Sequence, residues 1–347
     1  MQNLQKITTS TKPKCMVCGT EGGLKYANLN DRLFGVAGEW SLKNCLNSEC
    51  NLLWLDPSPD EATIHFAYEN YYTHHYEPGI STFLSRLYAA AISGYLDICY
   101  GYRVKKTRYP KLLLGALFFL QKSRRDAADF RVMWQKFSSN KNKLLEIGCG
   151  NGDALVRMQS LGWEVTGIDF DPKAAETARK RGVNVFTGAL QEQNFISNSF
   201  DVITLSHLIE HVHNPLQLIE NCYDLLNSQG RVVILTPNSQ SFLHRIFKRD
   251  WKALEPPRHL HIFNSNNLAQ LAKKAGFKTM TVKTITRDAK GIFMGSMSLK
   301  RNQKYDPTVK VSLSIKISAL IIQFIESVIH VFNRKAGEEL VLIAIKE

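Results

Sequence analysis

The segment Leu144-Leu145-Glu146-Ile147-Gly148-Cys149-Gly150-Asn151-Gly152 joins an apolar run to three closely spaced glycines. Apolar residues at 144, 145 and 147, entered from Lys143 and left through glycine, predict a short buried strand. Glycines at 148, 150 and 152 let the backbone turn tightly and come close to a ligand. Residues 153–161 then follow a helical pattern. The glycines therefore sit where a strand hands over to a helix N-terminus, a place that favours bound anions and polar groups. A second strand, 164–168, runs into Asp169, 23 residues after Glu146. A carboxylate in that position can accept both hydroxyls of a ribose. Strand, glycine turn, helix, strand and acid in this order is the context that a nucleotide-binding fingerprint requires. The spacing is Gly-x-Gly-x-Gly with an acid two positions ahead, whereas dinucleotide sites show Gly-x-Gly-x-x-Gly without that acid.

Downstream the alternation continues. Residues 172–181 predict a helix with Pro172 in its first turn, and strands follow at 183–186, 200–205 and 231–235, with a helix over 215–226. Ser265 is placed to cap a helix that runs to Ala275 and is ended by Gly276. Residues 277–285 and 339–345 read as two more strands. Between them, 286–335 reads as an insertion with an apolar helix around 318–332. The expected fold is α/β: a Rossmann-like, mostly parallel sheet of about seven strands with helices on both faces.

Upstream, cysteine spacing marks a different unit. Cys15-Met-Val-Cys18 and Cys45-Leu-Asn-Ser-Glu-Cys50 are two close pairs separated by a loop, and four such thiolates can surround zinc tetrahedrally. With no further ligand type clustered there, the expected site is closed and structural. The domain expectation is a zinc-ribbon-like module over 1–60, a basic and apolar helical connector over 61–142, and the α/β domain over 143–347. Tyr71, Tyr72, His74 and His75 fall at the start of the connector, where the two tyrosines can close over a site.

The 347 residues carry 44 Lys+Arg and 31 Asp+Glu, a formal charge of +13, with 44% hydrophobic and 22% charged residues. This excludes a disordered chain and a polytopic membrane protein. Between 101 and 142 there are 11 basic residues and only two acids, Asp126 and Asp129, so the charge is concentrated rather than spread. The first ten residues lack the apolar core of a signal peptide. The seven cysteines are therefore expected to stay reduced, and the expected location is cytoplasmic. No run reaches roughly 18 uncharged apolar residues, the length of a membrane span. The nearest is 112–121, bracketed by Lys111 and Lys122, beside the basic excess. Peripheral contact with anionic membrane through 101–142 is the corresponding expectation.

The three motifs 145–152, Gly167-Ile168-Asp169 and Phe200-Asp201-Val202-Ile203 together resemble the class I S-adenosylmethionine-dependent methyltransferases over roughly 143–346. The resemblance implies S-adenosylmethionine as cofactor, with Glu146 near its ammonium and Gly148, Cys149, Gly150 and Gly152 beneath it. It further implies Asp169 on the ribose, Phe170 against the adenine, Ala189 and Leu190 at the adenine edge, and Ser206 and His207 alongside. Many members have an aspartate where this chain has Ala189, so backbone groups are expected to hold the adenine. The cysteine pairs ahead of Leu52-Leu-Trp-Leu-Asp-Pro57, with 206–212, Thr236-Pro-Asn238 and 255–263, resemble a bacterial subgroup. Its members accompany surface-polysaccharide and sugar-nucleotide enzymes. That likeness implies a small-molecule or glycan acceptor, a sugar nucleotide or a lipid-linked saccharide.

Methyl transfer to a hydroxyl or carbon acid needs a proton acceptor, and imidazole suits that role near neutral pH. His211, beyond the fourth strand, and His259 and His261, beyond the fifth, are the candidates. His207, Glu210 and His211 also stand at i, i+3 and i+4, a two-His, one-carboxylate set of the kind that binds divalent metals. Trp251 and Arg258 are candidates for the acceptor pocket, with Arg258 able to hold a phosphate bidentately. An RNA methyltransferase using the zinc module and connector is the alternative. Thr236-Pro-Asn238 differs from the Asn/Asp-Pro-Pro-aromatic signature of many amino-methylating nucleic-acid enzymes, and the module has little basic character, which argues against nucleic acid. A non-catalytic cofactor-binding scaffold is a third reading, opposed by the intact glycine loop and the histidines.

Overall fold

The structure is a computed structural model and describes residues 7–69, 83–103, 110–140, 142–305 and 311–347. Tyr71, Tyr72, His74 and His75 lie outside the described residues.

In chain order the N-terminal part contributes β1 (Thr9–Ser10), β2 (Gly22–Leu29), β3 (Trp40–Cys45), β4 (Leu53–Leu55) and β5 (Ser58–Pro59). Three helices follow: α1 (Phe83–Tyr100), α2 (Lys111–Ala116) and α3 (Lys122–Arg131). Then come β6 (Lys143–Ile147), α4 (Asp153–Ser160), β7 (Glu164–Asp169), α5 (Pro172–Lys180), β8 (Asn184–Thr187), β9 (Phe200–Ser206), α6 (Pro215–Leu225) and β10 (Leu226–Pro237). The last part holds α7 (Phe242–Phe247), β11 (His261–Ile262), α8 (Ser265–Lys274), β12 (Thr279–Ile285), α9 (Ala289–Asn302), α10 (Leu313–Phe332) and β13 (Glu339–Ile345).

The large sheet has seven strands in the order β12-β13-β10-β9-β6-β7-β8 and is mostly parallel. β6 pairs in parallel with β7 (Leu144 opposite Val165) and with β9 (Leu145 opposite Ile203). Their buried apolar residues, Leu144, Leu145, Val165, Ile168, Val202 and Ile203 among them, are why they were legible as short strands. In a second sheet of four strands, β11-β4-β3-β2, β3 ends on Cys45, with Cys50 in the turn that follows, and β11 pairs with β4 through His261 opposite Trp54.

The chain groups into two compact units. One comprises Met1–Tyr71, His207–Tyr223 and Ile234–Ala344; the other comprises Tyr72–Ser206, Asp224–Val233 and Ile345–Glu347. The cysteine module thus shares a unit with residues more than 200 positions away. Leu42, Leu55, Ile262, Phe293 and Ala319 share one core. In the other unit Tyr95, Phe118, Leu144, Leu155, Trp163 and Val202 form the second. There α1 and α2 cross closely. A Cβ on Gly94 would stand 1.7 Å from the Lys111 carbonyl oxygen, and one on Gly115 2.4 Å from the Tyr95 nitrogen.

Two sequence readings shift. The cap of α8 is Asn264, not Ser265: its side chain accepts from the backbone N–H groups of Asn266 and Asn267, and Ser265 is already helical. The longest apolar helix is α10, beginning at Leu313 rather than near 318, and it outweighs the 112–121 run. By length and composition it is the described helix apolar enough to cross a membrane. Lys316 and Glu326 interrupt its apolar run, which concealed it from a search for uncharged stretches.

Candidate active site

The glycine loop adopts the strained geometry that its composition allows. Gly148, Gly150 and Gly152 have φ of 73°, 54° and 77°, all in the left-handed region. A Cβ on Gly152 would also meet the Cβ of Ala178 at 2.8 Å, whereas nothing lies within 4 Å of one on Gly150. Asp169, buried at the end of β7, accepts from the Gly150 N–H through one oxygen (2.7 Å) and from the Asp171 N–H through the other (2.9 Å). These bonds hold the acid against the loop. Glu146 is 3% exposed, and its Oε2 has no hydrogen-bond partner among the described residues. Burial pushes its carboxyl up to about 8, against which Arg157 pulls only partly. An orphaned buried carboxylate oxygen beside an open glycine loop fits a cationic group from a ligand.

Phe170 follows Asp169 and is 55% exposed. Cys149 is buried, and its thiol is pushed up by that burial. Leu190 is buried and Ala189 exposed. The Ala189 N–H donates to Glu192 Oε2 at 2.9 Å, and its carbonyl accepts from the Gln193 side chain at 3.2 Å. The expectation that backbone groups hold the adenine therefore meets an Ala189 backbone already engaged within its own turn. Ser206 ends β9 and leads directly into His207.

His207, His211 and His259 line one cavity of about 200 Å³ with Pro237, Glu255, Arg287 and Glu339 among its walls. His207 Nδ1 stands 3.3 Å from Glu210 and its Nε2 2.9 Å from Glu339. Burial would depress this imidazole, but the two carboxylates outweigh it and raise it to about 9. Both carboxyls are held near 2 in return: burial opposes ionisation, while His207 wins for Glu210, and Arg287 with His207 for Glu339. Arg287 grips Glu339 with both Nε (3.1 Å) and Nη2 (2.6 Å).

His211 is the opposite case. Burial first, then the nearby His259, lowers it to about 4, so it is neutral near pH 7. The Arg258 carbonyl lies 3.1 Å from its Nδ1 and can only accept, which fixes the proton there and leaves Nε2 basic. Tyr68 places its hydroxyl 3.0 Å from the same Nδ1. His259 packs edge-on at 4.6 Å between ring centroids and donates Nδ1–H to the Ala253 carbonyl at 2.8 Å. Ligand atoms of Glu210, His211 and His259 all lie within 4.8 Å of one another, a donor set able to hold a metal. It differs from the set expected from sequence by exchanging His207 for His259. Glu210, however, already faces two donors, His207 and the Thr236 hydroxyl at 2.8 Å.

His261 is not brought to this cavity. It lines another of about 200 Å³, with Lys12, Trp54 and His213, and burial lowers it to about 4. The suggested phosphate-holding role of Arg258 is corrected. Its guanidinium is fully buried, clamps Asp31 bidentately at 2.8 and 2.9 Å, donates Nε–H to Glu255 at 3.0 Å and lies over the Phe34 ring. Trp251 is also core: it stacks on His244 and donates to Glu338 at 3.1 Å. Arg287 and Glu339, which line the cavity, and Tyr68, which contacts His211, were missed because no local motif marks them and each is distant in sequence.

Among the cysteines, Cys15 and Cys50 sulfurs stand 3.6 Å apart, Cys18 and Cys45 3.3 Å, and all four ligand atoms lie within 4.8 Å. These separations exceed a covalent bond of about 2.05 Å, and all four are free thiols. The bond to Cys50 pulls Cys15 down to about 5, while burial first, with Cys18, pushes Cys45 up to about 11.

A methyltransferase-domain family model matches residues 117–282. The ubiquinone biosynthesis O-methyltransferase of Paraburkholderia phymatum is 31% identical over 157 residues, 42% of this chain and 68% of the relative. Its counterpart from Saccharophagus degradans is 30% identical over 168 residues, 43% of this chain and 71% of the relative. The chain belongs to the class I S-adenosylmethionine-dependent methyltransferases. A methyltransferase structure from Thermotoga maritima, described as a possible histamine N-methyltransferase, is similar at 22% identity and TM-score 0.41. That match covers 60% of this methyltransferase and 84% of the other chain. The family match begins at residue 117, after the cysteine pairs.

Proposed function

We propose that this methyltransferase methylates a hydroxyl oxygen of a small-molecule or glycan acceptor, a sugar nucleotide or a lipid-linked saccharide, with His211 taking the proton. The observation that carries the reading is the neutral His211 imidazole in the 200 Å³ cavity, its proton fixed on Nδ1 and its Nε2 left basic. The relatives named above are O-methyltransferases, which supports oxygen as the atom. The cavity is smaller than the roughly 300–1,000 Å³ of a drug-sized site, so it admits a single ring while the rest of the acceptor stays outside. Its cations are His207 and Arg287, each matched by a carboxylate, and Lys252; the carboxyls of Glu255, Asp288, Glu338 and Glu339 outnumber them. A neutral, hydroxylated ring therefore suits it better than a bare phosphate.

Glu146, Asp169 and the loop glycines are the residues proposed to hold S-adenosylmethionine, with Phe170 against the adenine. When bound, that cofactor supplies an electrophilic methyl on sulfur. Once its methyl had gone to the acceptor oxygen, the cofactor would be left as the neutral thioether, its sulfur keeping the electron pair. The hydroxyl proton, acidified as the bond forms, passes to His211 Nε2; a weak base suffices for a proton that leaves so late. Glu210 and Glu255 then stabilise the imidazolium. His259 shapes the wall beside it. The protonated His207 bridges Glu210 and Glu339, and so positions the segment that follows β9.

The four clustered cysteines are proposed to hold a structural zinc, supported by their tetrad geometry and closed, mostly buried setting. The 101–142 connector is proposed to touch anionic membrane, supported by the exposed Leu112, Leu113, Leu117 and Leu120 beside the basic excess. Incubating the full chain with methyl-labelled S-adenosylmethionine and separate sugar-nucleotide, lipid and RNA extracts tests the acceptor. Label is expected in one of the first two; label confined to RNA would reverse the reading.

A further inference from the structure

Helix α10 is built inside out. Ala319, Gln323, Glu326 and His330 are buried, whereas Leu313, Ile317, Leu320, Ile321, Phe324 and Phe332 are 50–86% exposed. At 100° per residue these exposed positions fill an arc of about 120°, opposite the buried polar ones. The polar face is fastened to its own unit. Gln323 donates to the Thr286 carbonyl and accepts from the Lys290 N–H, and His330 Nε2 lies 2.8 Å from the Thr284 hydroxyl. Ala319 joins the core that α9 helps to build. A soluble helix packed on a core shows the reverse distribution. An apolar stripe running the length of a 20-residue helix is much more than the scattered surface residues that need no explanation.

We infer that α10 is a monotopic membrane anchor, lying in the plane of an anionic bilayer with its apolar stripe among the acyl chains. The length of α10 would also allow it to span a membrane. Spanning would tear Gln323 and His330 from their partners and carry Glu326 into hydrocarbon, so the helix lies on the bilayer. Charge complementarity selects the bilayer over a second copy of the chain. From Ala289 to Lys335 there are eight Lys or Arg against two acids, Asp306 and Glu326. Of these, Lys300, Arg301, Lys304, Lys316, Arg334 and Lys335 are exposed on or near α10, while Glu326 is buried. A face-to-face pair of chains would crowd these cations, whereas anionic headgroups neutralise them. The stripe belongs to a different segment from the connector's leucines, and the inference does not depend on which acceptor is methylated.

The test is flotation of the full chain with phosphatidylcholine vesicles, with and without added phosphatidylglycerol. The wild type is expected to float with the anionic vesicles. Leu320→Glu/Phe324→Glu, both outward-facing, is expected to lower recovery by at least about tenfold while retaining wild-type S-adenosylmethionine affinity. Lys316→Glu/Lys335→Glu, which leaves the stripe intact, is expected to lower recovery on anionic vesicles and serves if the first variant misfolds. Two results would overturn the inference. In one, flotation is unchanged by both α10 variants, including the case where only Leu113→Glu/Leu120→Glu in the connector abolishes it. In the other, the wild type does not float and instead sediments as a dimer that Phe324→Glu dissociates, which would make the stripe a self-association face.

Discussion

Individual residues carry the sharpest consequences. Glu146 is largely protonated at neutral pH because burial holds it near 8, and the carboxylate form is the one that binds a cation. Cofactor affinity is therefore expected to rise as pH climbs through about 8. Near pH 7 binding should release close to one proton, read as the dependence of calorimetric heat on buffer ionisation enthalpy. In Glu146→Gln the release should vanish and affinity should fall about tenfold or more. His207 gives the opposite sign. Its folded value is raised to about 9, so its stabilisation is complete below the ordinary value near 6.5 and is lost as pH rises through about 9. Denaturation midpoints should fall over that window in the wild type and stay flatter in His207→Gln. His211→Ala is expected to cut turnover by roughly 10²–10⁴-fold with cofactor affinity unchanged. At this scale the clustering of Glu146, Asp169 and the glycines, the proposed cofactor half, was legible because they sit in one short segment. The histidine half was only partly so. His211 and His259 converge, but the bonds that set their protons come from Arg258 and Ala253 carbonyls, which no side-chain pattern encodes.

Elements explain why some spacings are rigid and others deceptive. Strands β6 to β9 announced themselves because each is a short apolar run closed by a turn residue. The four-stranded sheet did not, because β11 joins β4 across some 200 residues of chain. Side chains at the start of α8 help to fasten the cysteine module: Asn264 and Asn267 both donate to the Cys50 carbonyl, at 2.8 and 3.0 Å, and Asn266 donates to the Glu49 carbonyl. Arg258 ties the same unit together through Asp31 and Glu255. Removing one partner of a buried pair leaves an uncompensated charge, so Arg258→Met is expected to destabilise this unit by about 3–5 kcal/mol. A urea titration followed by tryptophan fluorescence would measure this. Elemental analysis of the purified chain should find one zinc, and Cys15→Ser should release it and lower the melting temperature. An unaltered melting temperature after metal removal would count against the structural site.

Over the whole molecule, the net charge of +13 resolves into two places. The 101–142 connector and the 289–335 segment between them hold more than the total, so the remainder of the chain is slightly acidic. Both basic segments also carry exposed apolar side chains, Leu113 and Leu120 in one and Phe324 and Phe332 in the other. Charge beside exposed hydrocarbon is the signature of an interface with lipid more than of a groove for nucleic acid. The sequence placed the first segment and saw the second only as an insertion. Its exposure is a tertiary fact, set by polar residues that turn inward. Titration calorimetry with S-adenosylmethionine tests whether Glu146, Asp169 and the glycine loop hold the cofactor of this methyltransferase. The wild type is predicted to bind one molecule, and Asp169→Ala to lose at least about tenfold in affinity. No binding by the wild type, or equal affinity in both proteins, would contradict it.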